Sequence, residues 1–428
     1  MNPGTTTPLL DIERSVQKVA QDGDLDISLI ENRERLREII FGETQRWQDS
    51  NRSHFLTEEN RQLITSRIEA NVAGYGPLQQ LLADDSVWEV MVNSYDSIFV
   101  RRHGKPTAYH SAVFHDPDHL RRTIARILAD SGIGQRTLEP ADGLQDSQLK
   151  GGSRLHVVHG DLTKEGSLVV NIRKFTGLPT RSLAELVSNE MLSTEAASFL
   201  ELAQEARASI VFSGPPGSGK TTLLGTLAAE LPADTRVVIA EEVLETHIPL
   251  PNVVHLQTRP ARPDRAGIDL RQLVAGFLRM APDVAIVGEV RDREALPLVL
   301  TLSSGVSGYT TLHATSARGA LSRLRLLIQI AGFQIPFGAV THMVSDAIDV
   351  VVYCTRIDGQ PRVTEIIAVE ELAGGSESFT FTTTPIFSYL ASSGQLVSTR
   401  QAPSRLVQKA RARGITFDLD PLGGGSND

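Results

Sequence analysis

Cysteine is nearly absent: the 428 residues hold one, Cys354. No disulfide can form within the chain, which suits a reducing compartment, and stability must come from packed cores. Cys354 sits in the apolar run VVVYCT, where a cysteine behaves as a small buried hydrophobe. A basic excess is missing too. The chain has 42 Lys and Arg against 51 Asp and Glu, a formal net charge of −9, whereas a sequence-independent nucleic-acid binder carries surplus cations to displace counterions. Direct nucleic-acid binding is therefore not expected. No run approaches the roughly 18 apolar residues of a membrane span. The N-terminus, MNPGTTTPLLDIERSVQ, lacks a basic stretch followed by an apolar one. These absences imply a cytoplasmic protein whose membrane contact is peripheral, at the inner face and through partners. Aromatics are scarce at 5%, but hydrophobic residues reach 41%, enough to build cores for the two or three domains this length implies. No repeat of solenoid period is present.

What is there falls into blocks. Residues 1–65 are polar and helical, with Ile30, Leu36, Ile39 and Ile40 as a rough apolar stripe, and read as an arm that packs on a neighbour. Residues 66–175 form a small α+β domain: strands at SVWEVMVN, SIFVRR, SRLHVVHG and SLVVNIRKF, and a helix at DPDHLRRTIARILADSG with Asp116 at the N-cap and Pro117 at N1. Residues 176–192, opening TGLPTRS, read as a linker. Residues 193–357 alternate helical patterns with the runs SIVFSG, RVVIAEE, NVVHLQ, DVAIVGEV and YTTLHA, the pattern of a mostly parallel sheet covered by helices. Residues 358–428 form a β/α extension that ends in a disordered tail, PLGGGSND.

The chemistry begins at SGPPGSGKTTLL. Gly214, Gly217, Ser218, Gly219, Lys220 and Thr221 fit G-x-x-x-x-G-K-[ST], with a β run before them and, from Thr222 on, a helical run after. Glycines let backbone N–H groups converge on phosphate oxygens, and the following helix turns its positive end to the same anion. Lys220 reaches the β- and γ-phosphates and the Thr221 hydroxyl holds Mg²⁺. Acidic groups are offered by two further strand ends. APDVAIVGEVRD delivers Gly288 and Glu289, and Glu289 is placed to orient the attacking water and to contact the Mg²⁺ shell. RVVIAEEVLETH delivers Glu241, Glu242 and Glu245; adjacent strand residues face opposite ways, so one of Glu241 and Glu242 enters the site. His313, after YTTL, is a candidate γ-phosphate sensor, while Arg318 and Arg323 are helix-surface charges or intersubunit contacts. His156 and His159 have odd strand spacing and no cysteine near them, so no metal beyond Mg²⁺ is expected.

These four elements, in this order, resemble the ATPases of type II and type IV secretion, pilus retraction motors included: a Walker A, an acidic box (IAEEVLETH), an atypical Walker B (IVGEVRD) and a histidine box (TTLHATSARGALSRL). YGPLQQLLADDSVWEVMVN, GGSRLHVV, VVNIRKF and TRPARPDRAGIDLRQLVAGFLRMAPD resemble the CpaF-type, or Tad/Flp pilus, branch. The resemblance implies a RecA-like P-loop NTPase domain behind a smaller α+β domain. It implies a homohexamer with ATP between those domains, and hydrolysis that works on an inner-membrane platform protein. It places Arg154 of GGSRL and Arg173 of NIRKF near the nucleotide to neutralise phosphate charge.

The chain departs from the family at three places. Glu242 stands for the usual aspartate of the acidic box, Gly305 and Val306 stand where a first histidine is common, and Pro215-Pro216 occupy the loop. Four functions are compatible with these residues: a motor of pilus assembly or protein secretion, an ATPase of conjugative transfer, a nucleotide-gated ring with little turnover, and a DNA translocase. The acidic total disfavours the last.

Overall fold

In a parallel sheet covered on both faces every strand residue is buried, so its strands read as unbroken apolar runs. Ile210–Ser213, Val237–Glu241 and Ser307–Leu312 are such runs, and all their residues are buried in the computed structural model of the chain. The structure describes residues 6–23, 25, 32–102, 105–131, 133–134, 137–139, 141, 143–149, 152–164, 166–174, 182–259, 261, 265–332, 334–372 and 380–416. They divide into two units, Met1–Thr176 and Gly177–Asp428.

The first unit opens with three helices, α1 (Thr6–Asp22), α2 (Arg33–Ser50) and α3 (Glu58–Ala73). They close over a core of their own that includes Ile12, Val16, Leu36, Ile40, Ile64 and Ile68. Of the expected stripe, Leu36 and Ile40 are buried within this bundle, Ile39 is partly buried against it and Ile30 lies outside the described residues, while α3 runs through the edge expected at residue 65. Next come α4 (Leu78–Ala83), β1 (Val87–Ser94), β2 (Ser97–Arg102), β3 (Ala108–Tyr109), α5 (Pro117–Asp130), β4 (Ile133–Gly134), β5 (Leu144–Gln148), β6 (Arg154–Val158) and β7 (Val169–Arg173). The strands form one antiparallel sheet in the order β3-β2-β1-β7-β6-β5-β4. Helix α5 starts as read, with Asp116 Oδ1 accepting the His119 amide at 2.6 Å. Its Leu120, Ile124, Ile127 and Leu128 pack with Val90, Val92, Leu155 and Ile172 of the sheet.

The second unit holds α6 (Leu183–Ser188), α7 (Thr194–Glu205), β8 (Ile210–Ser213), α8 (Lys220–Ala229), β9 (Val237–Glu241), β10 (Val253–Gln257), α9 (Leu270–Ala275), β11 (Val284–Val290), α10 (Ala295–Ser303) and β12 (Ser307–Leu312). It continues with α11 (Ala317–Ile330), α12 (Phe337–Ala347), β13 (Val350–Ile357), β14 (Gln360–Val369), β15 (Thr383–Leu390), β16 (Gln395–Ser398) and α13 (Ser404–Arg411). One nine-stranded sheet runs β10-β9-β11-β12-β8-β13-β14-β15-β16. The first six strands are parallel; β14, β15 and β16 add antiparallel to them. The sheet thus passes unbroken through the edge expected at residue 357.

Strand alternation splits the core between the two faces. Ile210 and Phe212 pack with Phe199, Leu200, Leu223, Leu227 and Leu406 on one face. Val211 packs with Val274, Leu298, Leu321, Leu324 and Val344 on the other. From residue 182 the expected linker is structured: Leu183, Leu186, Met191 and Leu192 are buried in the first of these cores. The Ser182 side chain caps α6, supplying the helix start that the Pro-Thr-Arg-Ser reading did not see. Residues 176–181 of that linker, and the tail expected to be disordered, lie outside the described residues.

Candidate functional site

In parallel sheets the loops that follow the strands gather at one edge, and functional residues collect there. Strands β9, β11, β12 and β8 all end at this edge, which brings Glu241, Glu289, His313 and the glycine-rich loop together although the sequence scatters them.

The loop between β8 and α8 is built on three glycines that side chains could not replace. Gly214, Gly217 and Gly219 have φ of +143°, +70° and +90°. A Cβ on Gly214 would stand 1.9 Å from the Cys354 carbonyl oxygen; one on Gly219 would stand 2.8 Å from Met191 Cε. Cys354 is buried, as read, and burial pushes its thiol up to about 12. Arg356 straps the loop to the next hairpin: its Nε donates to the Gly217 carbonyl at 2.8 Å and its Nη1 to the Gly359 carbonyl at 2.8 Å. Ser218 Oγ is buried without a hydrogen-bond partner among the described residues. Thr221 and Thr222 are half-buried on the first turn of α8.

Lys220 opens α8 and folds back over the loop. Its Nζ donates to the Pro215 carbonyl at 2.9 Å and lies 3.3 Å from His313 Nδ1. His313 Nδ1 is also 3.1 Å from the Gly214 carbonyl, and Nε2 is 2.9 Å from Glu289 Oε1. With the proton on Nε2, His313 donates to Glu289 and accepts from Lys220. The doubly protonated ring would turn to the Gly214 carbonyl instead and face Lys220 as a like charge. The histidine therefore couples the loop lysine to the carboxylate on β11.

The two glutamates are in opposite electrostatic states. Burial pushes Glu289 up, but Arg291 outweighs it through its hydrogen bonds and charge, with His313 and Lys220 behind, and the carboxyl ends below its ordinary range. Arg291 grips it with two parallel bonds, Nε to Oε1 and Nη2 to Oε2, each 2.7 Å, and also reaches Glu242 Oε2 at 3.3 Å. Glu241 is buried on the neighbouring strand, and burial pushes it up to about 7 against the bonds of Thr246 and the Glu245 amide. Its Oε1 accepts from Thr246 Oγ1 at 2.7 Å and from the Thr246 amide at 3.1 Å; Oε2 is buried with no partner among the described residues. Of the adjacent pair, Glu241 turns in, while Glu242 is exposed and meets Arg291. The two carboxyls are thus held differently, Glu289 low by Arg291 and Glu241 high by burial.

Sequence reading missed Arg291 and Arg356. Arg291 has a signal in hindsight, since it stands two residues after Glu289 on the same strand edge. Arg356 has none, because only the fold carries β13 alongside β8. Arg154 and Arg173 belong to the first unit, where they are register partners across β6 and β7, with Glu89 the partner of Arg173 on β1. His156 and His159 of that unit are apart in role: His156 Nδ1 meets Asp146 at 2.7 Å and buried His159 Nε2 meets Gln145 at 3.3 Å.

Residues 71–358 match the family model described as type II/IV secretion system protein. A putative conjugal transfer protein of Mycobacterium tuberculosis is 29% identical over 322 residues, covering 73% of this chain and 89% of its own. The type IV secretion system protein PtlH of Bordetella pertussis is 33% identical over 271 residues, 57% of this chain and 78% of its own. Among solved structures the Legionella pneumophila ATPase DotB aligns with a TM-score of 0.52 at 18% identity, covering 80% of this chain and 92% of DotB. At that identity the likeness bears on the fold alone.

Proposed function

The chain belongs to the type II/IV secretion system protein family, and on that premise we propose that it hydrolyses ATP with Mg²⁺ to drive pilus assembly or protein secretion. The observation that carries this reading is the continuous chain from loop to carboxylate: Pro215 carbonyl, Lys220, His313, Glu289, Arg291. The loop fits a phosphate, since its three glycines leave open a cradle and the Ser218 hydroxyl is buried without a partner.

In this reading the amides of residues 217–221 and the N-terminus of α8 bind the phosphates, and Lys220 leaves Pro215 to neutralise the terminal one. Thr221 would hold Mg²⁺, with Glu289 contacting its shell, and the ion would supply charge neutralisation on the phosphate oxygens. Glu289 Oε1 is filled by Arg291 and His313, so Oε2 is the oxygen with a lone pair left to orient water. Once Lys220 is drawn toward phosphate, His313 Nδ1 loses that donor, which links nucleotide arrival to the ring that bonds Glu289. The phosphate-neutralising roles that the family resemblance implies for Arg154 and Arg173 belong to the same proposal. A homohexamer working on a membrane platform protein, in the manner of the pilus-assembly branch, belongs to the same proposal. Among the described residues no helix is long and apolar enough to cross a membrane. A second reading, conjugative transfer, is favoured by the likeness to the mycobacterial protein.

The test is Mg²⁺-dependent ATP hydrolysis by the full chain across a concentration series. Activity per subunit is expected to rise with concentration, to vanish in Lys220→Ala, and to vanish in Glu289→Gln while nucleotide binding persists. Wild-type turnover in Glu289→Gln would remove Glu289 from its role, and tight binding without turnover at any concentration would favour the gated ring.

A further inference from the structure

Far along the sequence from the glycine-rich loop, the first unit buries two imidazoles and a carboxylate side by side. Glu13 lies on α1, His115 precedes the cap of α5, and His119 lies in its first turn. One ligand atom from each falls within 4.8 Å of the others. Glu13 and His119 are buried, at 4% and 2% exposure, and His115 is half-buried.

The contacts converge. His115 Nε2 meets Glu13 Oε2 at 2.8 Å, and Asn71 Nδ2 of α3 donates to the same oxygen at 2.8 Å while lying 3.0 Å from that nitrogen. The rings of His115 and His119 stack at 4.9 Å, and Phe114 packs edge-on to His119 at 5.2 Å. His119 Nδ1 accepts the His115 amide at 3.3 Å, but Nε2 is buried with no partner among the described residues. Gly76, at φ +55°, leaves room beside it: a Cβ there would stand 3.2 Å from His119 Nε2 and 3.4 Å from Asn71 Oδ1. The pocket is thus lined by nitrogen and oxygen donors, with one buried donor atom unused and a backbone position that keeps it open.

We propose that Glu13, His115 and His119 bind a Zn²⁺-class transition metal that ties the helical bundle to the start of α5. Two imidazoles and one carboxylate suit Zn²⁺ and its neighbours, whereas Mg²⁺ and Ca²⁺ select oxygen sets. Metal–ligand bonds of about 2.0–2.2 Å put tetrahedral ligand atoms roughly 3.4 Å apart. His115 Nε2 and Glu13 Oε2, now 2.8 Å apart, would open toward that separation and His119 would close on them, both within the reach of side-chain rotation. Coordination through His119 Nε2 places that ring's proton on Nδ1 and gives up the long bond from the His115 amide. The fourth position belongs to water or to Asn71 Oδ1. The role is structural: α1, α3 and the entry to α5 are far apart in sequence, and one ion would hold all three.

The experiment uses the full chain, nucleotide-free, titrated with Co²⁺ as a spectroscopic stand-in and with Zn²⁺ in competition. One equivalent is expected to give ligand-field absorption in the visible that Zn²⁺ displaces, and Zn²⁺ is expected to raise the unfolding temperature of the first unit. Glu13→Gln and His115→Ala should each weaken binding at least tenfold, while Thr221→Ala, at the phosphate loop, should leave it unchanged. No stoichiometric band in the wild type overturns the proposal, as does a Co²⁺ affinity that is unchanged in Glu13→Gln or lost in Thr221→Ala. Should His115→Ala fail to fold, Glu13→Gln and the wild-type titration decide. Loss of hydrolysis in Lys220→Ala with metal binding intact separates this site from the ATPase reading.

Discussion

Glu241 turns the stability of the second unit into a function of pH. Its folded value of about 7 stands above the ordinary 4.5 because burial disfavours the charged form. The protonated carboxyl therefore favours the fold, so the contribution is fully present below pH 4.5 and is lost as pH rises through 7. That distance, at about 1.4 kcal/mol per pH unit, amounts to roughly 3 kcal/mol. Glu241→Gln removes the ionisation but keeps an oxygen for Thr246 and a similar volume. The stability of the variant minus that of the wild type should then grow by about 3 kcal/mol between pH 4.5 and pH 8, most of it before pH 7. Both tryptophans, Trp47 and Trp88, lie in the first unit, so fluorescence does not report on this change. Native-state hydrogen exchange of peptides from β8, β9 and β11, wild type and variant at each pH, isolates it, since every other titrating group cancels in the difference. A difference constant within about 0.5 kcal/mol from pH 5 to pH 8 would refute the burial argument.

Gly288→Ala would set a Cβ 2.8 Å from Glu241 Cγ and 3.0 Å from its Oε1, so it should displace that carboxyl, cost about 1–3 kcal/mol of stability and reduce hydrolysis more than nucleotide binding, as read by steady-state kinetics beside an equilibrium binding assay. Arg291→Gln removes the bonds that hold Glu289 low; the carboxyl then ionises at higher pH, and the acidic limb of the kcat profile should move upward. Asp349, 2% exposed, accepts from Lys409 Nζ at 2.6 Å and from the Ser209 amide at 2.8 Å and meets Arg405. Asp349→Ala should therefore cost about 3 kcal/mol and free α13, seen as faster hydrogen exchange there.

The glycine-rich loop was legible because its constraint is local: a strand, a turn that tolerates only glycine, and a helix are all adjacent in sequence. The parallel sheet was legible for a similar reason, since full burial writes itself as unbroken apolar runs. The antiparallel continuation was not. Residues 358–428 read as a separate β/α extension, yet β14 is an inner strand, and Val363, Ile366 and Ala368 are buried in the core shared with β8. The linker reading failed because a helix of six residues leaves too short a pattern, and its burial depends on partners far downstream. Glu13 and His115 are 102 residues apart, so no spacing rule could pair them. The spacing of His156 and His159 and the lack of a cysteine near them say nothing of such a distant pair.

Gly288 shows how a missing residue in the sequence becomes a fitted one in the fold. Along the chain, IVGEVRD offers Gly288 directly before Glu289, the atypical form of a Walker B. Across the sheet the reading changes. Val287 on β11 is the register partner of Ala240 on β9, so the next residues, Gly288 and Glu241, are neighbours. The Glu241 side chain fills the space that a side chain at 288 would need. One acid per pair of strands fits there, and this chain supplies it from β9, buried and near neutrality, while Glu289 on the next position is held ionised by Arg291. The bare Cα of Gly288 is thus the steric condition for the buried Glu241 side chain, and any side chain at 288 would have to displace it.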